Sequence, residues 1–179
     1  VGTNSTSLVI NDQLAPFFDV DNDQNYDPLS GDYPAFDPTD TTVMPDQMIW
    51  WVYNDKGNIH TETTADPIGL QVNATAFAYS TNDDINNMTF YRYDLFNKGN
   101  YTLDSAFIAQ WVDPDLGCAN DDYIGCDTSG TAMGSGTGLG ICYNADAFDE
   151  ACPAGYLSNV PMVGIDFFQG PKNSQGKVL

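Results

Sequence analysis

Basic residues are scarce in this chain. Only five of its 179 residues are Lys or Arg, against 25 Asp or Glu, so the formal net charge at pH 7 is -20. A surface this negative repels phosphate backbones and anionic lipid headgroups. We therefore expect neither a nucleic-acid partner nor insertion into a membrane. Bound divalent cations would relieve the self-repulsion of so many carboxylates.

Long apolar runs and a helical period are also missing. No run approaches the roughly 18 apolar residues that a membrane-spanning helix needs. No window of a dozen residues keeps a 3.6-residue period without a Gly, Pro or β-branched interruption. Yet 42 % of the residues are hydrophobic and 13 % aromatic, which separates the chain from disordered sequences. We expect a folded protein with a core and few helices.

Histidine and zinc-type cysteine spacing are nearly absent. His60 is the only histidine, and no two cysteines are spaced as CxxC, so zinc is disfavoured. Disulfides and an oxidising, extracellular or cell-surface location are favoured instead. Of the three possible pairings, Cys118 with Cys126 and Cys142 with Cys152 is preferred, because each bond would close a short loop. A lone histidine without a GxSxG motif also disfavours a Ser-His-Asp hydrolase, and we expect no enzyme.

Strand patterns dominate what is present. Apolar residues alternate with polar ones over residues 68–78, which predicts a half-buried strand. Other aromatic or β-branched runs of strand length cover residues 47–53, 88–96, 105–112, 140–144 and 162–168, with 7–10 a further candidate. Turn clusters separate these runs and no helix intervenes. This order predicts an all-β fold, an antiparallel β-sandwich.

The domain organisation follows from composition. Residues 1–46 are rich in Asp and Pro, and we expect them to form a loop-rich segment packed on the sandwich. The sandwich itself is predicted to span residues 47–171. Residues 172–179 have the composition of a linker to a further domain.

The first acidic segment is "DVDNDQNYDPLSGD", residues 19–32. Carboxylates at alternate positions let one tight turn point several oxygens at a cation, as in the EF-hand loop. Gln24 occupies the position of the EF-hand glycine, Ser30 that of its bidentate glutamate, and no helices flank the loop. We therefore predict a helix-less calcium loop, with a solvated acidic turn as the alternative. Its candidate ligands are Asp19, Asp21, Asp23, Asn25, Asp27 and Asp32.

The second acidic segment is "WVDPDLGCANDDYIGCD", residues 111–127, together with "YNAD", residues 143–146. Massed carboxylates are rarely left unpaired when they are buried, which favours a second metal site over solvated turns. Calcium is preferred to magnesium, since flexible loops suit its irregular coordination. The candidate ligands are Asp113, Asp115, Asp121, Asp122 and Asp127, with Asn144 and Asp146 as outer ligands.

The stretch from Met48 to Pro171 carries an ordered series of motifs: "MIWWVYND", "GNIHTET", "PIGLQVNATAFAY", "INNMTFYRYDLFNKG", "WVDPDLGC", "DDYIGCD", "CYNAD" and "VGIDFFQGP". This series resembles a domain of large secreted and surface proteins of Bacteroidota, the substrates of type IX secretion that end in a C-terminal sorting domain. The resemblance implies a β-rich module within a long, secreted, multi-domain polypeptide, and no specific activity.

Glycosylation is a weaker expectation for such a protein. Sequons of the N-x-S/T type begin at Asn4, Asn73, Asn87 and Asn100. The tripeptide at residues 104–106, "DSA", is similar to the O-glycan sites of that bacterial group.

These features together predict a non-enzymatic, calcium-stabilised structural or adhesive module of a secreted or cell-surface protein, including filament-forming ones. Its expected partners are neighbouring domains or copies of the same chain, with surface glycans as a further class. The alternative is a carbohydrate-binding module of a secreted hydrolase, in which Trp50, Trp51 and Trp111 would stack on sugars. A third alternative, hydrolysis by an Asp pair, has no residues that the sequence can single out.

Overall fold

The part of the chain that the structure describes forms three antiparallel sheets, with order β1-β2, β3-β4-β5 and β6-β7-β8. The computed structural model describes residues 15–40, 42, 44–57, 59–127, 138–152, 154–173 and 175–177. Its strands are β1 (Phe17–Phe18), β2 (Tyr33–Pro34), β3 (Gln47–Asn54), β4 (Leu70–Ala78), β5 (Phe90–Asn97), β6 (Asp122–Asp127), β7 (Leu139–Asn144) and β8 (Met162–Ile165). Within these described ranges the helical content is one 3-10 turn, Asp84–Asn87. The predicted all-β class is confirmed, whereas a sandwich arrangement stays a prediction.

The chain divides into two compact units, residues 1–106 (unit 1) and 107–179 (unit 2). The boundary falls inside the range 47–171 that the sequence pattern assigned to one sandwich. Sheets β1-β2 and β3-β4-β5 belong to unit 1, and sheet β6-β7-β8 belongs to unit 2. In the part of the chain that the structure describes, no helix has the length and hydropathy needed to cross a membrane.

Unit 1 is organised around β4, the central strand of its larger sheet. Trp51 of β3 and Tyr93 of β5 both lie opposite Ala74 of β4. Ala74 is fully buried and Val72 nearly so, as expected for the middle strand of a sheet whose neighbours carry large side chains. The sequence patterns predicted the strands of this sheet to within two residues at each end.

The N-terminal segment packs on that sheet through one aromatic cluster. The ring of Phe36 lies 4.8 Å from that of Phe77 on β4. Phe77 in turn stacks on Phe90 of β5 at 5.4 Å. The guanidinium of Arg92 lies 5.4 Å above the Phe36 ring. These contacts attach the segment that carries the first acidic loop to the sheet.

Between residues 105 and 127 the structure departs from the predicted strands in two places. Residues 122–127, which the sequence pattern assigned to an acidic loop, form strand β6 and pair with β7 from Asp122↔Asn144 to Asp127↔Leu139. Residues 105–112, predicted to be a strand, are not one: they pair with no strand in the described ranges, and Phe107 and Trp111 are exposed. A run with strand propensity stays irregular when it has no pairing partner. The candidate strand at 7–10 lies outside the described residues.

The predicted disulfide pairing is wrong. Cys118 is bonded to Cys152, 34 residues later in the chain, while Cys126 and Cys142 are free. Cys126 lies within β6 opposite Gly140, and Cys142 lies within β7 opposite Ile124. Both cysteines therefore lie within paired strands, whereas Cys118 and Cys152 lie outside any strand. Loop proximity in sequence did not predict proximity in space.

Candidate metal centres

The first acidic segment is the loop of a β-hairpin. Asp19 directly follows β1 and Asp32 directly precedes β2, so pairing of Phe18 with Tyr33 brings the two carboxylates to the same end of the ribbon. Asp32 is only 5 % exposed. Its Oδ1 accepts the Val20 N–H at 2.9 Å, and its Oδ2 accepts the Asp27 N–H at 2.9 Å. Asp32 therefore joins the two sides of the loop and is itself held in place.

Three of the six predicted ligands come together in this loop. One carboxylate oxygen from each of Asp19, Asp21 and Asp32 lies within 4.8 Å of the others. Oxygens on opposite sides of one calcium ion, each about 2.3 to 2.6 Å from it, are roughly 5 Å apart. The spacing therefore fits one cation shared by three carboxylates, and the group, hereafter the loop group, can hold a metal ion.

The side chains of the other three predicted ligands form hydrogen bonds within the loop. Asp23 Oδ1 accepts the Asn25 N–H at 2.7 Å, and Asp27 Oδ1 accepts the Leu29 N–H at 2.9 Å. Neither Asp23, Asn25 nor Asp27 belongs to the loop group. These side chains shape the loop by capping its turns.

Gln24 shows how the loop turns without the EF-hand glycine. Its φ is 66°, in the left-handed region that glycine favours. Its backbone N–H donates to Asp19 Oδ2 at 2.8 Å. The loop thus has a left-handed residue at the position where an EF-hand loop has its glycine, with a different side chain.

A fully buried carboxylate lies just beyond the second acidic segment. Asp149 is 0 % exposed. Its Oδ1 accepts the Cys118 N–H at 2.9 Å and its Oδ2 accepts the Tyr156 N–H at 2.6 Å. An oxygen of Asp149 lies within 4.8 Å of one of Asp121 and of the Cys118 sulfur. Because that sulfur is in a disulfide, the oxygen ligands of this group are the two carboxylates.

Three buried side-chain oxygens of unit 2 lack a hydrogen-bond donor. Within the described residues, Asp121 Oδ1, Asp122 Oδ1 and Asn144 Oδ1 have no partner. We call them the acceptor cluster. Two other polar atoms of these side chains are engaged: Asp122 Oδ2 accepts the Leu116 N–H at 2.8 Å, and Asn144 Nδ2 donates to the carbonyl of Phe148 at 3.3 Å. Buried acceptors without donors are rare in proteins and call for an explanation.

The other predicted ligands of unit 2 do not join these groups. Asp113 and Asp115 are exposed, and Asp127 lies at the far end of β6 from Asp122. Asp146 Oδ1 accepts the Phe148 N–H at 2.7 Å, which closes a turn. Asp149 was not among the predicted ligands. Nothing in the local sequence distinguishes it from its acidic neighbours, because its burial depends on contact with the distant Cys118.

The tryptophans of the carbohydrate-binding alternative differ in their surroundings. Trp50 is half-buried and lines an open cavity of about 300 Å³ together with Asn73, Arg92 and Asp94. Arg92 Nε lies 3.1 Å from Asp94 Oδ2 in an exposed ion pair. Trp111 belongs to unit 2 and is 78 % exposed. This volume is at the lower end of the range of small-molecule sites.

Comparison with protein-family models, with curated proteins and with solved structures found no match for this chain. The chain's own features therefore carry the functional argument. The described residues form an all-β protein with two acidic groups that can hold a metal ion. The Cys118–Cys152 disulfide suggests a non-reducing environment.

Proposed function

We propose that this protein is a non-enzymatic, calcium-stabilised structural or adhesive module of a secreted or cell-surface protein. The loop group carries the proposal. Its three carboxylates lie within 4.8 Å of one another, and no Lys, Arg or His occurs in residues 1–55. The carboxylates thus have no basic side chain nearby in the sequence to offset their mutual repulsion, and a cation would do so.

Calcium is the ion that this donor set favours. All of the ligands are oxygens, which excludes the softer thiolate and imidazole preferences of zinc and copper. They come from one hairpin loop with several capped turns, and such loops suit the irregular six- to eightfold coordination of calcium better than the strict octahedron of magnesium. Bound calcium would make the loop rigid where it leaves and re-enters the β1-β2 ribbon.

The location and partners are supported by other features. The disulfide favours an oxidising compartment, and the resemblance to type IX secretion substrates favours export of a long polypeptide. One face of sheet β3-β4-β5 carries exposed large side chains, among them Ile49, Trp51, Tyr91 and Tyr93. Exposed apolar area of this kind supports contacts with a neighbouring domain or with another copy of the chain.

The test is the dependence of stability on calcium in the full chain. Thermal unfolding is followed in calcium chloride and in EDTA, and calcium should raise the melting temperature because it binds only the folded loop. In the variant Asp21→Asn the backbone amides of residues 19–32 should lose their calcium-induced NMR shifts. The matched control is Asp66→Asn, which removes the same charge from an exposed position in unit 1. Equal melting temperatures in calcium and EDTA, with unshifted loop amides, would refute the proposal.

A carbohydrate-binding module is the second candidate, and the cavity beside Trp50 favours it. Trp50 and Trp51 are neighbours on β3, so their rings leave opposite faces of the sheet. If the cavity binds sugars, Trp50→Ala should abolish binding on a glycan array while Trp51→Ala preserves it. Absence of binding by the unaltered chain would remove this candidate.

A further inference from the structure

The acceptor cluster in unit 2 lies outside the loop group and needs an explanation of its own. Asn144 is 7 % exposed, and its Oδ1 has no donor among the described residues. The same holds for the buried Oδ1 atoms of Asp121 and Asp122. These are three electron-rich oxygens, two of them on carboxylates, without a proton to accept.

Strand pairing brings two of the three side chains together. Asp122 lies directly opposite Asn144 at the start of β6, and side chains opposite each other across antiparallel strands leave the same face about 5 Å apart. Asp121 is the preceding residue, and its backbone carbonyl accepts the Ala145 N–H at 2.8 Å. The two segments are therefore still joined at that point. Asp149 adds a fourth oxygen, within 4.8 Å of one from Asp121.

The kind of partner that these three oxygens need follows from the hydrogen bonds that the Asn144 side chain already makes. The amide of Asn144 is turned away, since its Nδ2 donates to the carbonyls of Asp146 and Phe148, both at 3.3 Å. Because Oδ1 has no hydrogen-bond donor, its partner must be a group that accepts electron density from oxygen. One water molecule has two protons for three acceptors and neutralises neither carboxylate. A divalent cation would offset both carboxylate charges, and calcium prefers oxygen ligands.

We propose that Asp121, Asp122 and Asn144 form a second divalent-cation site, with Asp149 as a further oxygen ligand. The proposal rests on the proposed function only for the choice of calcium as the ion, and it uses no residue of the loop group. The site joins the loop before β6 to the end of β7. Asp149 also binds the Cys118 N–H, so the bound ion would connect the sheet to the disulfide-linked loop.

Calcium chloride alone, titrated into the EDTA-treated full chain, is the probe. Two-dimensional NMR follows the backbone amides of residues 121, 122 and 144, and separately those of residues 19–32. We expect both sets to shift in unaltered protein. In Asp122→Asn the affinity measured at residues 121 and 144 should fall at least about tenfold, because changing even an outer-shell partner typically costs 10- to 100-fold in metal affinity. The control Asp113→Asn changes an exposed carboxylate of unit 2 and should leave the affinity unchanged.

The same variant separates a cation site from a purely structural role. The new amide at position 122 retains an oxygen for the Leu116 N–H and offers an N–H toward Asn144 Oδ1. Asp122→Asn should therefore melt at or above the unaltered protein in EDTA and below it in calcium. A merely structural carboxylate would give the same order in both solutions.

Three results would overturn the proposal: amides 121, 122 and 144 that do not respond to millimolar calcium, equal calcium affinity in Asp122→Asn and Asp113→Asn, or ordered water alone between the three oxygens in crystals grown with calcium. Shifts confined to residues 19–32 would refute this second site and support the loop site. Shifts confined to residues 121, 122 and 144 would support this second site and refute the loop site.

Discussion

The Cys118–Cys152 disulfide should contribute much of the stability of unit 2. The bond joins residues separated by 34 positions. In the chain-entropy model, a closed loop of that length removes about 13 cal/mol/K of entropy from the unfolded ensemble, or roughly 3.8 kcal/mol at 25 °C. Small domains unfold with about 5 to 15 kcal/mol in total. The double variant Cys118→Ala/Cys152→Ala should therefore lose a large part of the free energy of unfolding of unit 2.

Amide hydrogen exchange measures this loss for each unit separately. Protection of the β6, β7 and β8 amides should fall by an amount equivalent to about 4 kcal/mol, while the amides of β3, β4 and β5 serve as an internal reference in unit 1. Cys126→Ala is the matched control, because Cys126 is exposed and free. Unchanged protection of β7 in the double variant would refute the reasoning, as would mass mapping of a Cys118–Cys126 bond in the native protein.

Three further predictions concern single side chains. Asp149→Ala removes a fully buried carboxylate that accepts two backbone N–H groups, and should cost about 3 to 6 kcal/mol in urea unfolding; a loss below about 1 kcal/mol would contradict the assignment. Cys126 should react with iodoacetamide in the native protein and Cys142 only after unfolding, since Cys142 is buried; equal labelling rates would contradict this. The hydroxyl and backbone N–H of Thr39 donate to Asp37 and lower its pKa. The stabilisation by ionised Asp37 is therefore fully present above the ordinary carboxyl pKa and is lost as the pH falls through the lowered pKa. Thr39→Val should raise that pKa in an NMR titration, and an unchanged midpoint would refute the cause.

The strands that could be predicted are those whose pattern is local. Residues 70–78 alternate in polarity, and they form the central strand β4. The aromatic run at 47–53 lies within β3. In both cases side-chain size and period two are properties of neighbouring residues, so the sequence alone carries them.

Local patterns gave the wrong prediction for strand β6 and for the irregular stretch 105–112. The acidic ends of β6, Asp122 and Asp127, made the segment resemble a loop, but pairing with β7 makes it a strand. Residues 105–112 are the opposite case: they have strand-forming side chains, but they form no strand because they have no pairing partner in the described part of the chain. Strand identity in both places depends on a distant segment.

The two candidate metal centres show the same difference between local and distant contacts. The alternate carboxylates of residues 19–32 identified the loop, because the ligands of a loop site lie close together in sequence. The hairpin pairing then selected Asp19, Asp21 and Asp32 from the six candidates. In unit 2, burial of Asp149 and of the acceptor cluster depends on contacts between segments about 20 to 30 residues apart.

The sequence by itself determined the composition-level properties: an acidic, strand-rich chain with cysteines suited to an oxidising environment and two segments dense in oxygen ligands. Tertiary structure alone decided which cysteines are bonded, which acids are buried and which oxygens lack a donor. The physical reason is that propensity and charge density belong to neighbouring residues. Burial, disulfide geometry and a shared cation require groups from distant segments to meet, and only the packed chain brings them together.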